Sequence, residues 1–129
     1  MNCVVDTHTL VWYFEDSRRL GRRAMSALDG EDNRLIIPTI VLAELRNIAF
    51  KGRIRSTYTE LLRKIEMDAR METFPLDARV VSRMPESLEM HDAIICATAM
   101  MYRELTGEDV VLLTRDEAIQ KARIVDTLW

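Results

Sequence analysis

The chain has 129 residues, a formal net charge of −3, 48% hydrophobic residues and 30% charged residues. These values are typical of one globular domain over residues 1–129, and no internal repeat, low-complexity tract or linker divides it. No apolar run reaches the roughly 18 residues of a membrane span and no basic-then-apolar leader opens the chain, so we expect no membrane partner. The negative charge argues against broad electrostatic adhesion to nucleic acid, but it leaves room for a local site.

Short apolar runs alternate along the chain with longer stretches of helical spacing. The runs predict strands at residues 3–5, 35–37, 73–76, 110–113 and 124–128. Two of the predicted helices cover residues 21–29 and, from a capping Thr39, residues 39–50. The next begins at a capping box of Thr57 and Glu60, and the last covers residues 92–102, where apolar residues lie on nearly every face. This alternation predicts an α/β fold with a parallel sheet of about five strands covered on both faces.

The two cysteines of the chain, Cys3 and Cys96, lie far apart in sequence and in apolar surroundings. They are not spaced as the paired cysteines of a metal site are. They are therefore predicted to be buried free thiols, which fits a reducing cytoplasm.

Four carboxylates are predicted to lie at one edge of this sheet. Asp6 directly follows the first strand, and Asp116 follows the apolar core of the fourth. Glu44 interrupts the apolar stripe of the helix after the second strand, and Asp92 starts the long apolar helix. Ligands of parallel α/β sheets bind beyond the carboxyl ends of the strands, near the point where strand order reverses. The four acids are therefore candidates for one site.

Each acid also has an ordinary structural interpretation. Asp6 can end a strand and cap the next turn, and Glu44 can lie at the wet edge of an amphipathic helix. Asp92 and Asp116 can each be a helix N-cap. These roles do not require the four side chains to converge, whereas a metal site does.

Convergence of four carboxylates has an electrostatic cost that a cation removes. Two carboxylates about 5 Å apart repel by roughly 3 kcal/mol at an effective dielectric near 20. Three or four cannot all stay ionised unless a cation intervenes or some of them take up protons. Oxygen ligands without a Cys or His pair favour Mg²⁺ or Mn²⁺ over Zn²⁺. Such an ion can activate a water and neutralise charge on a phosphodiester.

Four segments, VVDTHTLVWYF, VLAEL, EMHDAIICATA and LLTRDEA, occur in an order and spacing that resemble the PIN-domain ribonucleases. They are most similar to the VapC-like toxins of toxin–antitoxin pairs. The resemblance spans nearly the whole chain and implies a three-layer α/β/α sandwich, a homodimer, Mg²⁺- or Mn²⁺-dependent cleavage of RNA, and an inhibiting antitoxin. It places the family's catalytic and metal-binding acids at Asp6, Glu44, Asp92 and Asp116. It also matches Thr114 to a hydroxyl that supports the site.

The chain departs from the family pattern around the third acid. Many of these toxins have Asp-Pro-Phe-Asp-Arg there, whereas this chain has Glu89-Met90-His91-Asp92-Ala93. The missing arginine puts a basic contact near the metal in doubt. His91 is a candidate substitute that contacts the substrate, although a partly exposed histidine at a helix start is the simpler interpretation. His8 is expected to pack. Thr7, like Thr9, is a candidate hydrogen-bond partner of the Asp6 turn.

Other enzyme classes with acids at a sheet edge fit less well. Haloacid-dehalogenase phosphatases need a second Asp where this chain has His8, and response-regulator receivers need a lysine that is not well placed here. There is no Gly-x-Ser-x-Gly elbow and no glycine-rich phosphate loop. The remaining alternatives are a stand-alone RNA-processing nuclease and a non-catalytic protein-binding module on the same fold.

The basic residues are candidates for contacts with a nucleic-acid partner. Fifteen arginines against three lysines suit phosphate recognition, because a guanidinium binds phosphate through two hydrogen bonds. Solvated helix faces explain the same arginines, including the groups 18–23 and 46–55, so individual roles stay open.

The run of large side chains at residues 10–14 exceeds what one short amphipathic helix buries, so we expect it near a second subunit or the antitoxin.

Overall fold

The fold is a parallel sheet of five strands covered by helices, and a computed structural model describes all residues, 1–129. The five strands are β1 (Asn2–Val5), β2 (Arg34–Pro38), β3 (Met71–Phe74), β4 (Val110–Leu113) and β5 (Asp126–Leu128). The helices are α1 (Thr7–Phe14), α2 (Arg22–Asp29), α3 (Thr39–Phe50), α4 (Tyr58–Met67), α5 (Ala78–Val81), α6 (Met90–Thr106) and α7 (Glu117–Ala122). The predicted α/β/α sandwich with a parallel sheet is confirmed. No helix combines the length and the apolar character that crossing a membrane requires.

The strand order β3-β2-β1-β4-β5 places β1 at the centre of the sheet. Val4 of β1 pairs with Ile36 of β2 on one side and with Leu112 of β4 on the other, and all three are fully buried. Burial on both faces explains why the central strands are continuous apolar runs. The chain builds the sheet from β1 towards β3, and then returns to add β4 on the other side of β1. The order therefore reverses between β1 and β4, which is where such sheets bind ligands.

Cys3 of β1 and Cys96 of α6 are both buried and free, as the sequence predicts. Burial raises the pKa of both thiols, because the charged thiolate is disfavoured away from water. Neither sulfur is suited to metal binding or nucleophilic chemistry in this state.

Two helix starts show where local sequence signals hold and where they do not. At α4, the Thr57 hydroxyl accepts a hydrogen bond from the Glu60 N–H at 3.2 Å, as predicted for its cap. At α3 the prediction of a Thr39 cap is wrong, since Thr39 is the first helical residue and Pro38 occupies the cap position. The Thr39 hydroxyl instead accepts a hydrogen bond from the Leu76 N–H at 2.9 Å. This oxygen therefore holds a distant segment of the chain and does not cap α3.

Candidate functional site

The four candidate acids line one cleft at the carboxyl edge of the sheet. Asp6 follows β1, Glu44 lies on α3, Asp92 lies on α6, and Asp116 follows β4. The cleft has a volume of about 800 Å³, and two further carboxylates, those of Glu89 and Glu117, complete its acidic lining. Four separate elements therefore bring to one place residues that are up to 110 positions apart in the chain.

Asp6 is the most deeply held of the acids. Its side chain is 9% exposed, its Oδ1 accepts a hydrogen bond from the Thr7 N–H at 2.6 Å, and its Oδ2 accepts one from the Thr114 hydroxyl at 2.6 Å. The bond from Thr7 makes Asp6 the N-cap of α1. Burial raises the pKa of Asp6, while the bonds from Thr114 and Thr7 act in the opposite direction. Both the capping role and a position in the cleft are thus true of Asp6.

Thr114 joins two of the acids. Its fully buried hydroxyl donates to Asp6 and accepts a hydrogen bond from the Asp116 N–H at 3.0 Å. Asp116 is the N-cap of α7, since its Oδ1 accepts from the Ile119 N–H at 2.9 Å. The segment from Thr114 to Asp116 is therefore fixed to Asp6 on one side and to a helix start on the other.

Glu44 has an unpaired oxygen in this acidic setting. Its Oε1 is buried and makes no hydrogen bond. A buried carboxylate oxygen without a partner is costly, on the order of 1–3 kcal/mol, so it indicates a ligand or an ordered water. The Thr7 hydroxyl, beside Asp6, is the other buried side-chain oxygen without a hydrogen bond.

Asp92 shows the electrostatic effect of the cluster. It lies in the first turn of α6, three residues after the cap residue Glu89, so its interpretation as an N-cap is wrong. Partial burial raises its pKa to about 6, and the charges of Asp116, Asp6, Glu89 and Glu44 add to the shift. Each of the other candidate acids is thus close enough to disfavour the charged form of Asp92.

The cleft suits a hard divalent cation by donor type. Its donors are mainly carboxylate oxygens, one of them buried and unpaired; two exposed histidines, His8 and His91, also line it, and no cysteine does. As the side chains stand, however, no group of three or more His, Cys, Asp or Glu residues is arranged to hold a metal ion. Metal binding here would therefore require the side chains to rotate towards a common point.

Both histidines lie at the cleft. His91 is exposed on α6, and His8 is exposed on α1, where its ring lies 5.7 Å from the ring of Trp12. The expectation that His8 packs in the core is not confirmed, because the residue contacts Trp12 but is exposed and lines the cleft.

Two arginines of the lining, Arg19 and Arg115, were not singled out from the sequence. The position of Arg115 between Thr114 and Asp116 was a local signal for it. Arg19, in the loop after α1, had no signal beyond its membership of an arginine-rich stretch.

Comparison with known proteins gives one family match and several structural ones. The family model described as PIN domain matches residues 3–125. No curated protein matches the chain. The structure of VapBC2 from Rickettsia felis bound to a DNA fragment from its promoter is 16% identical, with a TM-score of 0.69, over 99% of this chain and 98% of that one.

Two further structures are similar to about the same degree. VapBC-1 from nontypeable Haemophilus influenzae is 18% identical, with a TM-score of 0.66, over 99% of this chain and 97% of that one. FitAB bound to an IR36 DNA fragment is 17% identical, with a TM-score of 0.67, over 98% of this chain and 93% of that one. At these identities the likeness establishes the fold.

Proposed function

We propose that this chain, which belongs to the PIN domain family, is an Mg²⁺- or Mn²⁺-dependent ribonuclease that acts as the toxin of a toxin–antitoxin pair. The observation that carries the proposal is the cleft itself. Four elements of the fold place Asp6, Glu44, Asp92 and Asp116 around one space, and the Glu44 Oε1 is buried there without a partner. The helix caps made by Asp6 and Asp116 explain two of these acids, but they do not explain why Glu44 and Asp92 face the same space.

The four carboxylates would hold the cation, and their neighbours set their properties. When bound, Mg²⁺ or Mn²⁺ supplies a water of lowered pKa and neutralises negative charge on a phosphodiester. Thr114 and the Thr7 N–H orient the Asp6 carboxylate and favour its charged form. The Asp116 carboxylate is held by the Ile119 N–H, and its backbone is joined to Asp6 through Thr114. Glu44 and Asp92 are the less constrained pair, because no hydrogen bond holds the Asp92 carboxylate or the Glu44 Oε1.

The partners we propose are an RNA substrate, a cognate antitoxin and a second copy of this chain, in the cytoplasm. Similarity in fold to VapBC and FitAB supports the antitoxin. The side chains of residues 12–14 support a protein contact near α1, because all three stay half-exposed after folding. Leu10 and Val11 of the same run are buried, so the fold absorbs part of the segment.

RNA cleavage tests the proposal. Purified protein is incubated with total RNA in Mg²⁺, Mn²⁺ or EDTA, alongside Asp6→Asn, Glu44→Gln, Asp92→Asn and Asp116→Asn. We expect cleavage only with the divalent cation and a loss of a hundredfold or more in each variant, which is the scale of removing one electrostatic contact from a transition state. Glu117→Gln is the matched control, since it removes an exposed carboxylate from the same cleft.

The opposite outcomes are informative. Cleavage by Asp92→Asn at the wild-type rate would show that the acids are not the catalytic groups. Absence of cleavage from any RNA would favour a protein-binding module. Cleavage without any antitoxin encoded beside the gene would favour a stand-alone RNA-processing nuclease.

A further inference from the structure

The cleft contains few cations for a site that must admit a polyanion. Six carboxylates line it, against two side chains of permanent positive charge, Arg19 and Arg115. Helix α6 adds no lysine or arginine, because its residues in the lining are Met90, His91, Asp92 and Ile95. A bound cation offsets part of this negative charge, but the phosphates on either side of the cleaved bond still meet carboxylates.

Arg115 is a cleft arginine whose guanidinium has no polar partner within the protein. It is exposed, and its guanidinium makes no ion pair and no hydrogen bond, although six carboxylates line the same cleft. The ion pairs of the structure involve other residues. All five N–H donors of Arg115 are therefore free for a ligand.

The position of Arg115 is nevertheless fixed. Its chain neighbours Thr114 and Asp116 are held in the hydrogen-bond network of the acids. Its guanidinium carbon lies 5.9 Å from the centre of the Trp12 ring, within the range of a cation–π contact. Trp12 in turn contacts the ring of Trp129 edge-on, at 5.7 Å between centroids. An arginine that is held in place but has free donors loses little entropy when it binds.

From these contacts we propose that Arg115, positioned by Trp12, binds a phosphate of the RNA backbone next to the bond that is cleaved. The proposal rests on the ribonuclease function proposed above. The planar guanidinium fork matches two phosphate oxygens, and its cation–π contact with Trp12 leaves the N–H groups at its edge available. Arg115 is thus a substrate-binding residue, and Trp12 is a positioning residue.

Binding and cleavage of a single-stranded oligoribonucleotide test the proposal. Affinity is measured with Mg²⁺ by the anisotropy of a labelled 12-mer in the Asp92→Asn background, and cleavage is measured in the wild-type background. Arg115→Gln should weaken binding and lower kcat/KM by about 10- to 100-fold, the scale of a charged hydrogen bond. It should also reduce the slope of log affinity against log salt by about 0.7, the value for one phosphate contact to a single strand. Arg115→Lys should keep the salt slope and recover only part of the affinity.

Controls separate binding from folding. Arg63→Gln removes an exposed arginine of α4 that does not line the cleft, so affinity and salt slope should both stay at wild-type values. Trp12→Phe keeps an aromatic face and should bind nearly as the parent does, whereas Trp12→Leu should lose part of the affinity with an unchanged salt slope. Thermal melting should show Arg115→Gln folded as the parent is, because the side chain is exposed.

The outcomes distinguish the two proposals. If the wild type cleaves RNA and Arg115→Gln binds and cleaves as Arg63→Gln does, the role of Arg115 is wrong and the nuclease stands. Equal losses of affinity in Trp12→Phe and Trp12→Leu would show that Trp12 does not position Arg115. If the wild type neither binds nor cleaves the oligoribonucleotide, the ribonuclease function fails and the role of Arg115 fails with it.

Discussion

Replacing Thr114 by Val tests how the cleft keeps a buried carboxylate charged. The substitution keeps the side-chain shape and removes the hydroxyl that donates to Asp6 at 2.6 Å and accepts from the Asp116 N–H at 3.0 Å. A hydrogen bond to a charged group contributes about 1.5–3 kcal/mol, and its loss here leaves one oxygen of Asp6 unpaired in a buried setting. We therefore expect Thr114→Val to lower the free energy of unfolding by about 2–3 kcal/mol at pH 7 in EDTA.

The loss of stability caused by Thr114→Val should depend on pH, and the environment of Asp6 determines whether it grows or shrinks as pH rises. The pKa of Asp6 is already raised by burial, and the Thr114 bond opposes that rise, so the variant should have a higher Asp6 pKa still. A raised carboxyl pKa means that the native state binds a proton that the unfolded chain releases, so stability falls as pH rises from the unfolded value to the folded one. The difference between variant and wild type should therefore be largest at neutral pH and shrink towards pH 4.

Urea unfolding at several pH values measures this difference, and Thr114→Ser is its matched control. Serine keeps the hydroxyl, so its cost should be about 1 kcal/mol for the lost methyl and should not vary with pH. A Thr114→Val loss that is equal at pH 4 and pH 7 would refute the claim that Thr114 stabilises the ionised form of Asp6.

Three other expectations follow from the same contacts. Because the pKa of Asp92 is raised to about 6, metal-free stability should fall between about pH 4 and 6. Since the group is mostly solvated, the fall should be on the order of 1 kcal/mol. Asp92→Asn should raise the metal-free melting temperature and remove that fall, which melting curves in EDTA would show. Light scattering at tens of micromolar should give a homodimer, and monomer alone would contradict the partner proposal for α1. Gly21→Ala should displace Trp129, because an added Cβ would lie 2.7 Å from its backbone, and should cost about 1–3 kcal/mol with an altered indole emission; unchanged emission and melting would contradict that packing.

The strands were predictable in proportion to their burial. The central strands β1, β2 and β4 are buried on both faces, so their apolar runs mark them to within a residue at each end. The third strand was predicted at 73–76 but is Met71–Phe74, and two of its four residues are exposed. This edge strand carries little apolar signal, and Pro75 and Leu76 continued the pattern beyond its end.

The cleft was predictable where a residue interrupts a buried pattern. Asp6 and Glu44 stood out because each breaks an apolar stretch, and the positions of Asp92 and Asp116 followed from the direction of parallel strands. Contacts made across the fold left no such mark. Trp129 contacts both Gly21 and Trp12, which lie more than 100 residues earlier in the chain. Trp12 in turn contacts Arg115, about 100 residues later, so the position of Arg115 could not be read from its local sequence. The same holds for Thr39, whose hydroxyl binds a residue 37 positions away.

Direct titration with Mn²⁺ tests the central claim, that the four carboxylates together hold a divalent cation. Electron paramagnetic resonance of free Mn²⁺ counts the bound ions independently of any RNA. The wild type should bind Mn²⁺ at neutral pH, Mg²⁺ should compete, and Glu44→Gln and Asp92→Asn should each weaken binding by about tenfold or more, while Glu117→Gln should not. Mn²⁺ binding that is absent in the wild type, or equal in all four proteins, would contradict the account.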